Sequence, residues 1–413
     1  MTNRSNRLTM MVVKVKRFGI NTKNLMRMDV RIPLSNVILS IAFLSIYAAV
    51  NGQTPGMANK QESASMAKIV EGLASDITPY GSIRIGFGFS ERGEAGVSNN
   101  VPRVGIEFEH PILNEEPDKF RVVSRIEFGL DLVSRDETIE FTPDPGQRFS
   151  QAGDAVFTRL GYIGLAYGDF SFVFGKNNAV YYTYAASVAD KFLAFGGNAL
   201  GVWNAGTDGG ISGTGRANQS AMFTYEGKRF KVGVQGQMRN ISDNSTTIDT
   251  YGFGANYTLN DLTLGVGYNK VVDGVTNPEP NQSVDGDESL IFTVSYAMDR
   301  FTAAASYAFM NKHEKIALDD GDFFYNADGM ELYLKYVFSP SLKWHVASGF
   351  SYINPDSDQN LGDFDVKFGL LELAYMFKKS SYIFIVSKLE ASQDREGNDS
   401  EDSIYGLGIR FSF

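Results

Sequence analysis

The chain has no cysteine and only three histidines among its 413 residues. The first absence excludes a disulfide framework and a thiolate metal site. The second leaves His110, His313 and His345 far apart in sequence, without the spacing of a zinc ligand set. Long apolar runs are missing as well. No stretch reaches the eighteen or so residues of a spanning helix, and the nearest, Val37 to Val50 (VILSIAFLSIYAAV), falls short. It follows Arg4, Arg7, Lys14, Lys16, Arg17, Lys23, Arg27 and Arg31, opposed only by Asp29, and leads into Gly52-Gln53. A basic start, a short apolar run and a small-residue exit make a secretory signal peptide, so residues 1–52 are expected to be removed on export. The basic region is unusually long, which leaves Met26 and Met28 as alternative starts. Basic excess is also absent: the net charge is −10, and losing the basic leader makes the exported chain more acidic still. That argues against nucleic acid as a partner.

What the chain has instead is glycine and aromatic residues, 42 Gly, 31 Phe and 20 Tyr, a composition of β structure with many turns. Residues 53–77 read as a leader with one helical patch (Ala67, Ile69, Val70, Leu73), too short for a domain. From residue 78 to 413, segments of about ten residues alternate in character along their length. In the last, Tyr405, Leu407, Ile409, Phe411 and Phe413 share one face and Gly406, Gly408, Arg410 and Ser412 the other. Roughly sixteen such segments run from 78–90 to 402–413, among them 101–112, 300–311, 328–338 and 364–377. In 364–377 the phase slips near Leu370-Leu371, which reads as a bulge, and in Ser380 to Leu389 both faces are apolar. Connections alternate too. Those at Thr258–Asp261, Phe338–Leu342 and Phe377–Ser381 are tight, whereas Val272–Glu288, Asn311–Ala327 and Ala391–Asp402 are long and acidic.

A soluble sandwich would also alternate. The polar face distinguishes the two, because it carries Gly, Arg, Glu, Lys and Gln in segment after segment. The expected fold is therefore all-β, a transmembrane antiparallel β-barrel of about 16 strands, its apolar side on outer-membrane lipid and its polar side around a lumen. One connection breaks the pattern. TRLGYIGLAY (Thr158 to Tyr167) turns at Gly168-Asp169, returns as FSFVFGK, and about forty residues then pass before the next strand near Asn218. They are rich in Phe, Tyr, Leu and Trp203, so the segment is expected to fold against the barrel wall.

TRLGY at Thr158–Tyr162, FGK at Phe174–Lys176, FGGN at Phe195–Asn198 and the terminal Phe413 resemble the general diffusion porins of Gram-negative outer membranes. The resemblance is specific over about seventy residues and diffuse over the rest of the barrel. It implies an infolded third loop, a homotrimer, and a passive water-filled channel for small hydrophilic solutes and ions. It also implies a pore constriction between wall arginines, matched by Arg103, Arg159 and Arg216, and acids on the loop, matched by Asp190. Ala194 stands where a second acid is expected and Lys191 follows Asp190, which puts cation preference in doubt.

The residues point the same way on physical grounds. Arg103 shares its face with Gly105, Glu107 and Glu109, and Arg121 and Arg125 share theirs with Glu127 and Asp131. Charges on strands crossing a bilayer must face water or one another. The candidate constriction is thus Arg103, Arg121, Arg125, Arg159, Asp190 and Arg216. No catalytic residue, cofactor or metal site is expected. The acidic DGDE (Asp285–Glu288) and DDGD (Asp319–Asp322) lack a full calcium-loop pattern, and GTDGGISGTGR (Gly206–Arg216) lacks the ending of a phosphate loop. Three alternatives stay open: a substrate-selective channel, for which Tyr181, Tyr182, Tyr184 and Trp203 could form a stacking ladder; an outer-membrane hydrolase, whose Ser-His pair His110 or His345 could supply only by coincidence; and a non-conducting structural or adhesive barrel.

Overall fold

The computed structural model describes residues 76–113, 119–133, 141, 156–202, 212–239, 247–274, 285–318, 321–339, 343–359 and 361–413. The signal peptide, the leader patch and Trp203 lie outside them. Seventeen strand segments form one sheet: β1 (Ile77–Ser90), β2 (Ala95–Asn99), β3 (Arg103–Pro111), β4 (Phe120–Leu130), β5 (Val156–Tyr167) and β6 (Phe170–Asn178) precede the long connection. After it come β7 (Arg216–Glu226), β8 (Phe230–Gln237), β9 (Thr250–Leu259), β10 (Leu262–Val271), β11 (Glu288–Met298) and β12 (Phe301–Leu318). The last five are β13 (Gly321–Ser339), β14 (Trp344–Pro355), β15 (Val366–Lys378), β16 (Ser381–Glu390) and β17 (Ile404–Ser412). Neighbours pair antiparallel throughout, and β1 pairs with β17, Arg84 opposite Arg410, so the sheet closes. Both β2 and β3 pair with β1. They are two halves of one stave, interrupted near Val101, whose φ of 58° breaks the extended run, which gives a 16-strand barrel.

Closure satisfies the backbone of every stave, leaving the side chains to divide by face. Phe87, Phe172, Phe292, Ile385, Leu371 and Leu407 point outward and are exposed, whereas Ser82, Glu127, Thr293, Glu331 and Glu372 point inward and are buried. Tight connections gather at one rim. Asn260 and Asp299 take positive φ there, a conformation that their short polar side chains tolerate in two-residue hairpins.

Three expectations need correction. The segment 101–112 is only part of its stave, since Ala95–Asn99 also pairs with β1; its Gly and Asn hid the alternation. The acidic stretch Asn311–Ala327 is not a loop but the upper part of the β12–β13 hairpin, with one register shift between Met310 and Glu314. Finally, β15 has no bulge at Leu370-Leu371. Its pairing with β14 runs without a shift, and the only one against β16 lies between Met376 and Lys378. Leu370 faces inward and is buried because the long connection packs on it, as it does on Phe384 and Val386. An apolar inner face marks where the lumen is filled.

Ile385 is 56 % exposed at the middle of its strand, where a lysine would meet lipid. Ile385→Lys is expected to lower stability by about 2–4 kcal/mol, while Ile385→Leu stays within about 1 kcal/mol. Urea titration of the protein folded in phospholipid vesicles measures both.

Candidate pore constriction

The connection between β6 and β7 folds into the barrel. It contains a single helical turn, α1 (Val180–Tyr184), and two 3₁₀ turns at Ala186–Val188 and Asn198–Leu200. Its residues from Ala179 to Val202 are largely buried although they belong to no sheet. Backbone groups that leave a ladder need other partners, and inward side chains of the wall supply them. Gln235 on β8 accepts from the Val180 N–H at 2.8 Å and donates to the Gly213 carbonyl at 3.1 Å. Asn256 on β9 donates to the Tyr184 carbonyl (3.1 Å), and Thr293 on β11 to that of Ala185 (3.1 Å). His313 on β12 bridges Asp287 (2.7 Å) and the Gly201 carbonyl (2.8 Å). The carboxylate of Glu331 on β13 takes the Gly197 N–H with both oxygens (3.1 and 2.9 Å), and Glu372 on β15 takes that of Leu193 (2.9 Å). The Leu193 carbonyl accepts from Asn100 (3.0 Å) and from Arg410 on β17 (3.1 Å).

The FGGN signature has a local reason. Phe195 sits at φ 62° and Gly197 at φ 88°, and this tight reversal aims the Gly197 N–H at Glu331. Phe141, from the β4–β5 connection, is fully buried and stacks on Phe195 with centroids 5.1 Å apart, its carbonyl accepting the Phe195 N–H at 2.9 Å. Gly86 and Gly406 make its seat; a methyl at Gly86 would lie 2.8 Å from the ring.

Opposite the loop stands a wall of arginine. Arg159 on β5 donates through Nε to Glu127 at 3.0 Å, and Arg103 on β3 approaches the same carboxylate at 3.9 Å. Arg125 binds Glu107 (3.1 Å) and Glu127 (3.2 Å) and stacks over Tyr80, 4.4 Å from the ring centre. The charge of Arg216, 1 % exposed at the start of β7, also acts on Arg103. Arg121 is not brought to this group. It pairs with Glu109 and donates to the Gly168 carbonyl (3.2 Å) at the tight-turn rim, because β4 carries it down to the Gly168-Asp169 turn. Sequence reasoning missed Arg84 and Arg410, whose charges belong to the same field as Arg103 and Arg159. The alternation had placed Arg410 on the inward face, which was the available signal; its partner strand β1 was not identifiable without closure.

On the loop, Asp190 accepts a hydrogen bond from the Tyr182 hydroxyl at 3.0 Å. Burial pushes the Asp190 carboxyl above its ordinary value, opposed by that hydrogen bond and by the charges of Lys191, Arg410 and Arg84. Burial also lowers the neighbouring Lys191 ammonium. Tyr182 feels Arg103 and Arg84 as well, so the Asp190–Tyr182 pair faces the arginine wall. Tyr181 and Tyr184 do not form a ladder with it: both are buried, Tyr181 donating to the Leu200 carbonyl (3.0 Å) and Tyr184 to Glu226 (2.9 Å). In DGDE, Asp285 accepts from the Gly274 N–H (2.7 Å), Asp287 holds His313 and Glu288 accepts from Tyr268 (2.7 Å).

The sequence profile of the family described as Gram-negative porin matches residues 48–413. No curated protein sequence matches the chain. Among solved structures it is similar to OmpF of Salmonella typhi in complex with daunomycin, with 16 % identity, a TM-score of 0.64, and coverage of 82 % of this chain and 97 % of that one. It is similar to the trimer form of OmpT, an outer membrane protein of Vibrio cholerae, with 15 % identity and a TM-score of 0.56 over 82 % and 99 % of the two chains. For the anion-selective porin of Comamonas acidovorans the values are 13 %, 0.58, and again 82 % and 99 %. At these identities the likeness speaks for the barrel fold.

Replacing Glu331 with alanine leaves the Gly197 N–H without its acceptor inside the barrel. Glu331→Ala is expected to lower stability by about 1.5–3 kcal/mol, and to turn steady open-channel current into a fluctuating one as the loop loosens. Urea unfolding and single-channel noise in planar bilayers check the two effects.

Proposed function

Because the chain belongs to the Gram-negative porin family, we propose that its outer-membrane barrel is a passive diffusion channel whose narrowest passage lies between Arg84, Arg103, Arg159, Arg410 and the Asp190–Tyr182 pair. The observation that carries this reading is the placement of those arginines on β1, β3, β5 and β17, facing an acid held by the infolded loop. A water-filled narrowing with opposite charges across it imposes a transverse field on whatever passes. Arginine outnumbers carboxylate here, since Glu127, Asp190 and Glu372 are the acids that act on the four arginines, so the passage favours small hydrophilic anions over cations. The chain is exported through residues 1–52, and residues 78–413 form the barrel.

Assembly as a homotrimer is supported by likeness to the trimer form of OmpT. The reading gives the chain no catalytic step. His110 bonds Asp76 (2.8 Å), His345 bonds Glu372 (3.1 Å) and His313 bonds Asp287, so each imidazole is engaged by a carboxylate. Substrate selection by aromatic stacking loses support from the burial of Tyr181 and Tyr184.

Reversal potentials across a potassium chloride gradient in planar bilayers test the reading. The wild type is expected to prefer chloride, Arg103→Gln to prefer it less, and Asp190→Asn more. Cation preference in the wild type would overturn the assignment of the wall, and absence of conductance in folded protein would overturn the channel.

A pH series extends the test. Burial raises the Asp190 carboxyl, so acidification neutralises it earlier than an exposed aspartate, whose ordinary value is about 3.9. Anion preference should therefore grow as pH falls through that raised value. Asp190→Asn should show the larger preference already at neutral pH and lack this part of the pH response.

A further inference from the structure

The arginines of the wall differ in what neutralises them. Arg103 and Arg159 share Glu127, Arg125 has Glu107 and Glu127, and Arg121 has Glu109. Among the described residues Arg84 and Arg410 have no such partner. The Nε of Arg84 donates to Ser82 Oγ at 2.8 Å, Nη2 of Arg410 donates to the Leu193 carbonyl, and neither makes an ion pair among the described residues. The carboxylates whose charges reach Arg410 are Glu372 and Asp190, and both are committed elsewhere, Glu372 to the Leu193 N–H and His345, Asp190 to Tyr182. The Nε of Arg410 is buried and has no hydrogen-bond partner among the described residues.

These two guanidinium groups are also direct cross-strand partners, Arg84 opposite Arg410 where the first and last strands meet. Like charges directly opposite on one face of a sheet destabilise it, and a buried donor left unpaired adds to that cost. Their surroundings are ordered in layers along the seam. On one side Ser82 faces Ser412, hydroxyl oxygens 3.2 Å apart; on the other Gly86 faces Gly408, and the Phe141 ring covers Gly86. Two guanidinium groups side by side, without an ion-pair partner among the described residues and flanked by hydroxyl groups, offer the kind of N–H donors with which guanidinium binds a tetrahedral oxyanion.

We propose that the Arg84–Arg410 seam is a binding site for divalent oxyanions of the phosphate and sulfate type, which reside there during passage rather than merely drifting through the field. The inference rests on the channel reading for its consequence: a resident divalent anion slows chloride, so sulfate acts as a saturable blocker. Arg410 also holds the loop through Leu193, whereas among the described residues Arg84 makes no hydrogen bond to the loop, which makes Arg84 the cleaner position to vary.

Two measurements on the refolded full barrel test it. In planar bilayers, sodium sulfate is titrated into potassium chloride at constant ionic strength. The wild type is expected to lose chloride current along a saturation curve, and Arg84→Gln to need about tenfold more sulfate for half-block, the loss of one charged fork. Arg410→Lys keeps the charge but not the fork, and is expected to lose block to the same degree. Calorimetric titration of detergent-solubilised protein with sulfate reads binding without conduction, and should show one saturable site in the wild type that Arg84→Gln weakens by the same factor. A block that is linear in sulfate, or one that Arg84→Gln leaves unchanged, overturns the site while the channel stands. Calorimetric binding in a barrel that carries no current supports the site and overturns the channel.

Discussion

Every peptide group that is buried or faces lipid at membrane depth must find a hydrogen-bond partner inside the protein, and this requirement governs both the wall and what fills it. In the wall it is met by closure, with β1 returning to β17 so that no edge remains. Within the lumen it is harder to meet, because the connection between β6 and β7 leaves the sheet and brings its amides and carbonyls with it. The inward residues that look scattered along the sequence, Gln235, Asn256, Thr293, Glu331, Glu372 and Arg410, are the partners of that connection. The shape of the passage therefore follows from backbone satisfaction before it follows from any preference for solutes.

The electrostatics sit on top of that frame. Of the wall carboxylates, Glu127 neutralises arginine, while Glu331 and Glu372 hold loop amides. Glu331 and Glu372 thus contribute less free negative charge to the passage than a count of acids suggests. What remains is a basic wall facing one buried loop acid. Such an arrangement is compatible with a strongly acidic chain because acid at the outer loops and acid in the lumen act at distances that salt screens differently.

Much of this was legible in the sequence. Period-two alternation located nearly every stave, since lipid on one side and water on the other impose it residue by residue. It failed where that contrast disappears. Leu370, Phe384 and Val386 face a filled lumen, so their strands look apolar on both sides, and Ala95–Asn99 is too small and polar to show a face. In the upper part of the β12–β13 hairpin, acid and glycine were read as a turn although the strands continue. Of the candidate site, Arg103, Arg159, Asp190 and Arg216 were identifiable from local motifs. Arg84 was not, because its meaning depends on Arg410, more than three hundred residues away in sequence, and only closure sets them side by side. Phe141 carries no local signal at all.

The Leu193 peptide has a consequence for how the molecule is made. Its carbonyl is held by Asn100 and Arg410 and its N–H by Glu372, partners separated from it by 93, 217 and 179 residues. These contacts draw on the second stave, the fifteenth strand and the last, so none of the set is complete until the final strand has zipped to the first. The passage is therefore fully defined only in the closed barrel, and a chain cut short before its last strand loses one of the three anchors that fix the Leu193 peptide.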